Sequence, residues 1–455
     1  MYPPLGNRRW GSGAMTNHPP PSAPAPAEPP AQDTPPPPRP QHFWQVLGPG
    51  LITGASDDDP SGIGTYAQAG ASLGFATLWL ALFSFPLMAS VQFMCARIGL
   101  VSGQGLAGVL RRHYPRALLY PVLVTLLVAN TINAGADIGA IAAAINILVP
   151  IPTPWLILPI ALLLVALMVW GSYRFIERTF KWLTLALFAY IGAAFFARPD
   201  WGAVLRSTLI PTLRFDSTFL ATVVAILGTT ISPYVFFWQA SQEVEEEISL
   251  GRSSLAAREG ATQPELRAAA WDVNIGMAFS NVVMFFIILA TGATLFTAGK
   301  TDIQTATDAA QALRPLAGDA SGLLLAVGLV GAGLLAVPVL TGAAAYAVAE
   351  GLGWESGLDA QPGRAPQFYG VIAGATLVGM LINFTGISAY QALFWTAVLN
   401  GFLAPPLLVV IMLIANNRTV MGVQVNGRRM NAVGWLTTAV MFAAAAGLVW
   451  TWLRG

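Results

Sequence analysis

Three consecutive carboxylates, Asp57, Asp58 and Asp59, precede Pro60, Ser61 and Gly62 inside an otherwise apolar stretch. An ionised carboxylate in an apolar medium is costly unless it is paired, hydrated or bound to a cation. Residues 45–71, 117–148 and 218–243 contain no Lys or Arg, so a metal cation is the economical counter-charge. Successive helical residues point about 100° apart, so the three carboxylates cannot share one helical face. Asp59 precedes a proline, which disfavours the α conformation. Pro60 brings no backbone N–H, and Gly62 adds freedom. A helix should unwind there, free its carbonyl oxygens and turn Asp59 into a cavity as a direct ligand. Asp57 and Asp58 are expected as water ligands or outer groups in an inner vestibule, or protonated.

A second apolar stretch, AILGTTISPYVFFWQ, carries Gly228, Thr229, Thr230, Ser232 and Pro233. It is another proline-marked break, and its side-chain donors are hydroxyls rather than Cys, His or Met. Hard oxygen ligands suit Mg²⁺, Ca²⁺ and Mn²⁺, whereas sulfur favours softer metals. Mg²⁺ keeps several waters and needs few carboxylates. The small residues Gly62 and Ser232 leave room for those waters, and Thr229 adds a hydroxyl.

The elements that position these groups are membrane helices. Of 455 residues, 55% are hydrophobic and 10% charged, against about 25% charged in a soluble domain. Mean hydropathy is +0.61. Eleven apolar spans are expected, over about 45–71, 75–101, 117–148, 153–171, 179–197, 218–243, 271–298, 321–350, 367–387, 389–416 and 431–453, making residues 42–455 one multi-pass transmembrane domain. Residues 1–41 are proline-rich and cannot bury a core, so a disordered cytoplasmic tail is expected. A net charge of +1 gives no electrostatic case for nucleic acid. The lone Cys95 excludes an intrachain disulfide and a cysteine-based metal cluster. The basic residues Arg111, Arg112 and Arg116, Arg174, Arg178 and Lys181, and Arg418, Arg428 and Arg429 follow spans 2, 4 and 10. By the positive-inside rule the N-terminus is cytoplasmic and the C-terminus outside, with Arg198, Arg206 and Arg214 against the trend.

The two breaks fall in spans 1 and 6, five spans apart, as two five-helix repeats would place them. An odd repeat length inverts the second repeat in the membrane, and paired broken helices mark a transport site. At this point the residues resemble those of the Nramp family of divalent-metal transporters, from about Trp44 to the end of the chain. GPGLITGASDDDPSGIGTYAQAGA resembles the family's first helix, ILGTTISPYVFFWQAS its sixth, and LIANNRTVMG the exit of its tenth. The resemblance implies a LeuT-like fold with two inverted five-helix repeats plus an eleventh helix, no cofactor, and a transported divalent cation as substrate. It implies metal ligands at Asp59, Gly62, Thr229 and Ser232, with Asp57, Asp58, Tyr234 and Asp137 around the ion or along its path. The chain departs from the family at telling positions. Gly62 replaces a ligand asparagine, Ser232 a thioether methionine, and Tyr234 a histidine after the proline. Asp137 stands for a glutamate, and Ala134 for an aspartate, of the family's proton path. The pattern is similar to the Nramp-related magnesium transporters.

The reading is therefore a monomeric Mg²⁺ transporter of the cell membrane, with Mn²⁺ as a second substrate, working without coupled protons. A proton-coupled Mn²⁺/Fe²⁺ importer is the alternative. An amino-acid transporter would want an exposed helix N-terminus for the substrate carboxylate, which three aspartates would repel. An intramembrane aspartyl protease using Asp59 and Asp137 is a remote reading. The run of glutamates from Glu243 to Glu247 reads first as a solvated helix end, and second as a funnel for cations.

Overall fold

The computed structural model describes residues 48–171, 185–358 and 360–454. The proline-rich tail, Arg174, Arg178, Lys181 and the start of span 5 lie outside them. The main helices are α1 (Pro49–Asp57), α2 (Pro60–Leu73), α3 (Trp79–Ser102), α4 (Leu106–His113), α5 (Arg116–Leu148), α6 (Thr153–Trp170), α7 (Ala189–Phe196), α8 (Trp201–Leu209), α9 (Ser217–Thr230), α10 (Pro233–Ser249), α11 (Gln263–Thr291), α12 (Ser321–Leu352), α13 (Pro366–Gly379), α14 (Ala389–Ala415) and α15 (Arg428–Arg454). Nine helical segments among the described residues are long and apolar enough to cross a membrane. Span 1, cut into two short halves, and span 5 are the two expected spans outside that set.

Both proposed breaks are present, and both are short. α1 ends because Asp58 (φ −83°, ψ 52°) and Asp59 (φ −67°, ψ 167°) leave the helical region. α2 restarts with Pro60 at its first position, where the missing N–H costs nothing. α9 and α10 are separated only by Ile231 and Ser232, again followed by proline. Gly62 does not loosen the first break as expected. It sits in the first helical turn of α2, with its N–H on the Asp59 carboxylate. Span 7 starts at Gln263 rather than 271, because Thr262 and Glu265 form a reciprocal capping box that extends the helix beyond its apolar part.

Burial arranges these helices. Within the protein, 94% of the apolar window of span 6 is buried, against 28% for α6 and 33% for α15. Broken span 6 therefore lies at the centre, and α6 and α15 are on the rim facing lipid. α1 packs on α11 and α10, while α2 packs on α11, α14 and α9. The α1–α11 contact is backbone against backbone: a side chain on Gly54 would run into the Gly276 peptide, and one on Gly276 into Gly50. The basic loops gather at the end where α1 begins. The Arg258 guanidinium donates to the Gly103 carbonyl (3.2 Å) and the Asn417 amide to the Tyr114 hydroxyl (3.4 Å), while Arg111 lies against Gly353.

Candidate metal site between the two helix breaks

Asp59 is the N-cap of α2. Its Oδ1 accepts from the Gly62 N–H (2.6 Å) and the Ser61 hydroxyl (2.8 Å). The fixed cap turns Oδ2 the other way, where the Asn133 amide of α5 donates to it (3.2 Å). The Tyr234 hydroxyl stands 3.5 Å from the same oxygen, but its single proton goes to the Ser56 carbonyl at 2.8 Å. Tyr234, at the second break, therefore satisfies a carbonyl freed at the first.

The Gly62 position joins the two breaks. A Cβ there would lie 3.0 Å from Thr229 Oγ1, 3.3 Å from the Asp57 carbonyl oxygen and 3.4 Å from Asp59 Oδ1. Gly62 is thus closely bordered by a hydroxyl, a peptide oxygen and a carboxylate, a hard donor set. Asp59, Gly62 and Thr229 are thus brought together. Ser232 is buried at the second break, and its hydroxyl faces back on the Gly228 and Thr229 carbonyls, both at 2.7 Å. With its proton committed there, its oxygen keeps lone pairs for an ion or a water.

Asp57 and Asp58 do not line a vestibule; each has 0% of its surface exposed. Both lean on Ser280 of α11, at 2.8 Å from Asp57 Oδ2 and 3.2 Å from Asp58 Oδ1. One hydroxyl carries one proton, so the closer Asp57 takes it. Asp57 Oδ1, Asp58 Oδ2 and both Asp137 oxygens have no hydrogen-bond partner. Among the described residues no group of three or more His, Cys, Asp and Glu side chains converges as a ready-made cage. Few protein ligands, all of them oxygens, are what a partly hydrated hard ion uses.

The glutamate run is solvated only in part: Glu246 is exposed and Glu245 half-buried, whereas Glu243 and Glu247 are buried. Glu243 accepts from Gln239 (2.8 Å), and Glu247 pairs with Arg252 (2.5 Å). Asn130 and Asn383 make interhelical hydrogen bonds to the Leu340 and Gly135 carbonyls. Sequence reasoning missed Ser280, the buried Tyr66 hydroxyl, and Asp272 of α11. The polar Ser280–Asn281 pair inside an apolar helix was the available signal for the first.

On the side away from the basic loops, a cavity of about 340 Å³ reaches toward the breaks, lined by Gly64, Gln68, Thr222 and Tyr390 among others. Between it and the basic end, the residues of both breaks are 0–1% exposed.

A family model described as Natural resistance-associated macrophage protein-like, Nramp, matches residues 50–451. The manganese transporter of Eremococcus coleocola, solved with an aromatic bis-isothiourea compound, is similar in structure, with 21% identity and a TM-score of 0.71 over 90% of this chain and 87% of that one. MhsT in complex with L-phenylalanine matches at 14% identity and a TM-score of 0.53, over 90% of this chain and 98% of that one. Mhp1 in its inward-facing conformation matches at 12% and 0.50, over 90% and 91%. At these identities the likenesses carry the fold, that of the LeuT-like transporters with two inverted repeats.

Proposed function

The chain belongs to the Nramp family of divalent-metal transporters, and on that premise we propose that it carries Mg²⁺, and Mn²⁺ less well, as a partly hydrated ion and without coupled protons. The observation that carries this reading is the convergence of three oxygens on Gly62, from Asp59, Thr229 and the Asp57 carbonyl. Asp59 supplies the charge. Thr229, Ser232 and the peptide oxygens hold the ion or its waters, and no thioether stands at the second break to reward a softer metal. Mg²⁺ sheds its waters reluctantly, so a site with few protein ligands, which leaves coordination positions to water, favours it over one that closes on the bare ion. Asp57, Asp58, Asp137 and Tyr234 shape the field around the path.

The N-terminus and basic loops face the cytoplasm and the C-terminus lies outside. The 340 Å³ cavity is then the external way in. The transporter works as a monomer in lipid, with residues 1–41 as a cytoplasmic tail outside the transmembrane domain.

One observation favours the competing proton-coupled Mn²⁺/Fe²⁺ importer: Asp137 is buried near the site with both oxygens free, as a proton relay would be. Uptake into proteoliposomes, with Mg²⁺, Mn²⁺ and Ca²⁺ compared, a pH dye trapped inside and the membrane potential clamped, separates the two. Mg²⁺ uptake without internal acidification is expected. Metal-dependent acidification that disappears in Asp137→Asn restores the proton-coupled reading.

A further inference from the structure

α1 cannot cap its own beginning. The first N–H groups of a helix have no partner within it, Gly48 offers no side chain, and Pro49 no N–H. All the capping comes from one residue some 220 positions away. Asp272 Oδ1 accepts from the Gly48 N–H (3.0 Å) and the Leu51 N–H (3.1 Å), and Oδ2 from the Gly50 N–H (2.5 Å). Asp272 is 3% exposed and forms no ion pair among the described residues. Its carboxylate faces those N–H groups and the positive end of the α1 dipole, with Glu246 close by at the same helix end.

The seat beneath is tight, since Gly50 and Gly54 lie against the backbone of Val273 and Gly276. The other end of α1 is free of helical continuity at Asp58 and Asp59. α1 is therefore a nine-residue rod, jointed at the ion site and fastened at its far end. It covers the side of the site opposite the external cavity.

We infer that Asp272 is the positioning residue that holds α1 shut over the cytoplasmic side of the path, so that inward opening requires its three hydrogen bonds to be exchanged for water. This rests on the reading above that the ion passes between the breaks, but its test does not depend on which ion is carried. A wrong ion assignment would leave the accessibility result standing, and a failed latch would leave the ion site standing.

The full chain has one native cysteine, Cys95, which is buried, so a single added thiol reports alone. Thr53 is fully buried in α1, and Ala221 lines the external cavity. Thr53→Cys and Ala221→Cys are each labelled with a membrane-impermeant thiol reagent in metal-free vesicles of known orientation, with and without Asp272→Ala. Loss of the latch should speed labelling of Thr53→Cys from the cytoplasmic side by about tenfold, which corresponds to about 1.4 kcal/mol in the opening equilibrium. Labelling of Ala221→Cys from outside should fall in the same protein. A merely loosened fold would raise both. Asp272→Asn keeps an acceptor oxygen and should give a smaller change of the same two signs. It carries the test should Asp272→Ala fail to fold. Unchanged Thr53→Cys labelling in a folded Asp272 variant, or a rise at both positions, overturns the inference.

Discussion

Gly62→Ala separates the stability of the first break from its use by the ion. Gly62 is in the first turn of α2 and is not among the glycines with positive φ, so alanine meets no backbone strain. Alanine should gain about 0.5–1 kcal/mol over glycine in a helix. Against this, the new Cβ sits at 3.0 Å from Thr229 Oγ1 and 3.3–3.4 Å from the two Asp oxygens, so these must give by a few tenths of an ångström. The two effects nearly cancel, and the melting temperature should move by no more than about 2 °C.

Transport should respond very differently. The methyl takes most of the volume of one water, about 30 Å³. Losing an ordered bridging water without replacing its hydrogen bonds costs up to about 2 kcal/mol, or roughly thirtyfold in affinity. Mg²⁺ uptake by reconstituted protein should therefore show KM raised about 5- to 30-fold. Mn²⁺ should be hurt less, since Mg²⁺ is the ion that dehydrates reluctantly. Initial rates over a concentration series of each metal, with melting curves of the same preparations, read both quantities. Mg²⁺ KM within about twofold of the parent at unchanged melting temperature would refute the idea that the ion or its waters lie beside Gly62.

Asp59→Asn should leave the fold intact, because asparagine caps a helix as well as aspartate, yet nearly abolish uptake by removing the charge that compensates the ion; a folded protein with near-normal transport would remove Asp59 from the site. Ser232→Met should shift preference toward Mn²⁺, since a thioether is a poor ligand for a hard ion and its bulk displaces water; an unchanged Mg²⁺/Mn²⁺ ratio in competition uptake would place Ser232 away from the ion.

The two breaks and their five-span separation were legible because proline and its flanking residues act locally. Proline alone does not mark them, since Pro86, Pro121, Pro159 and Pro338 lie inside unbroken helices; the polar and glycine residues beside Pro60 and Pro233 do. The nine spans present among the described residues were legible because hydropathy is a property of the segment itself. What lay beyond the sequence depended on partners hundreds of residues apart. Gly62 looked like a flexible joint, and is instead a helical residue whose missing side chain matters because Thr229 of α9 stands opposite it. For Asp57 and Asp58 the sequence leaves water ligands, outer groups or protonated carboxyls open, and the structure buries both against Ser280 of α11. Asp272 gave no signal at all: an acidic residue near the start of an apolar helix is ordinary until the uncapped end of α1 is laid against it.

Four carboxylates, Asp57, Asp58, Asp59 and Asp137, are buried at 0–1% exposure around two breaks whose helices carry no Lys or Arg. One divalent ion balances two charges. The hydrogen-bond donors decide where those charges rest, because a donor stabilises the ionised form. Asp59 has three: the Gly62 N–H, the Ser61 hydroxyl and the Asn133 amide. Asp57 takes the single Ser280 proton, which leaves Asp58 without a close donor, and no side chain donates to Asp137. Asp59 is thus the carboxylate best prepared to wait for the ion with its charge in place. The others need the passing cation or a proton. On the proposed reading, an ion that keeps its waters would be held by one fixed charge and answered by the other carboxylates through solvent, without a cage to be broken for release.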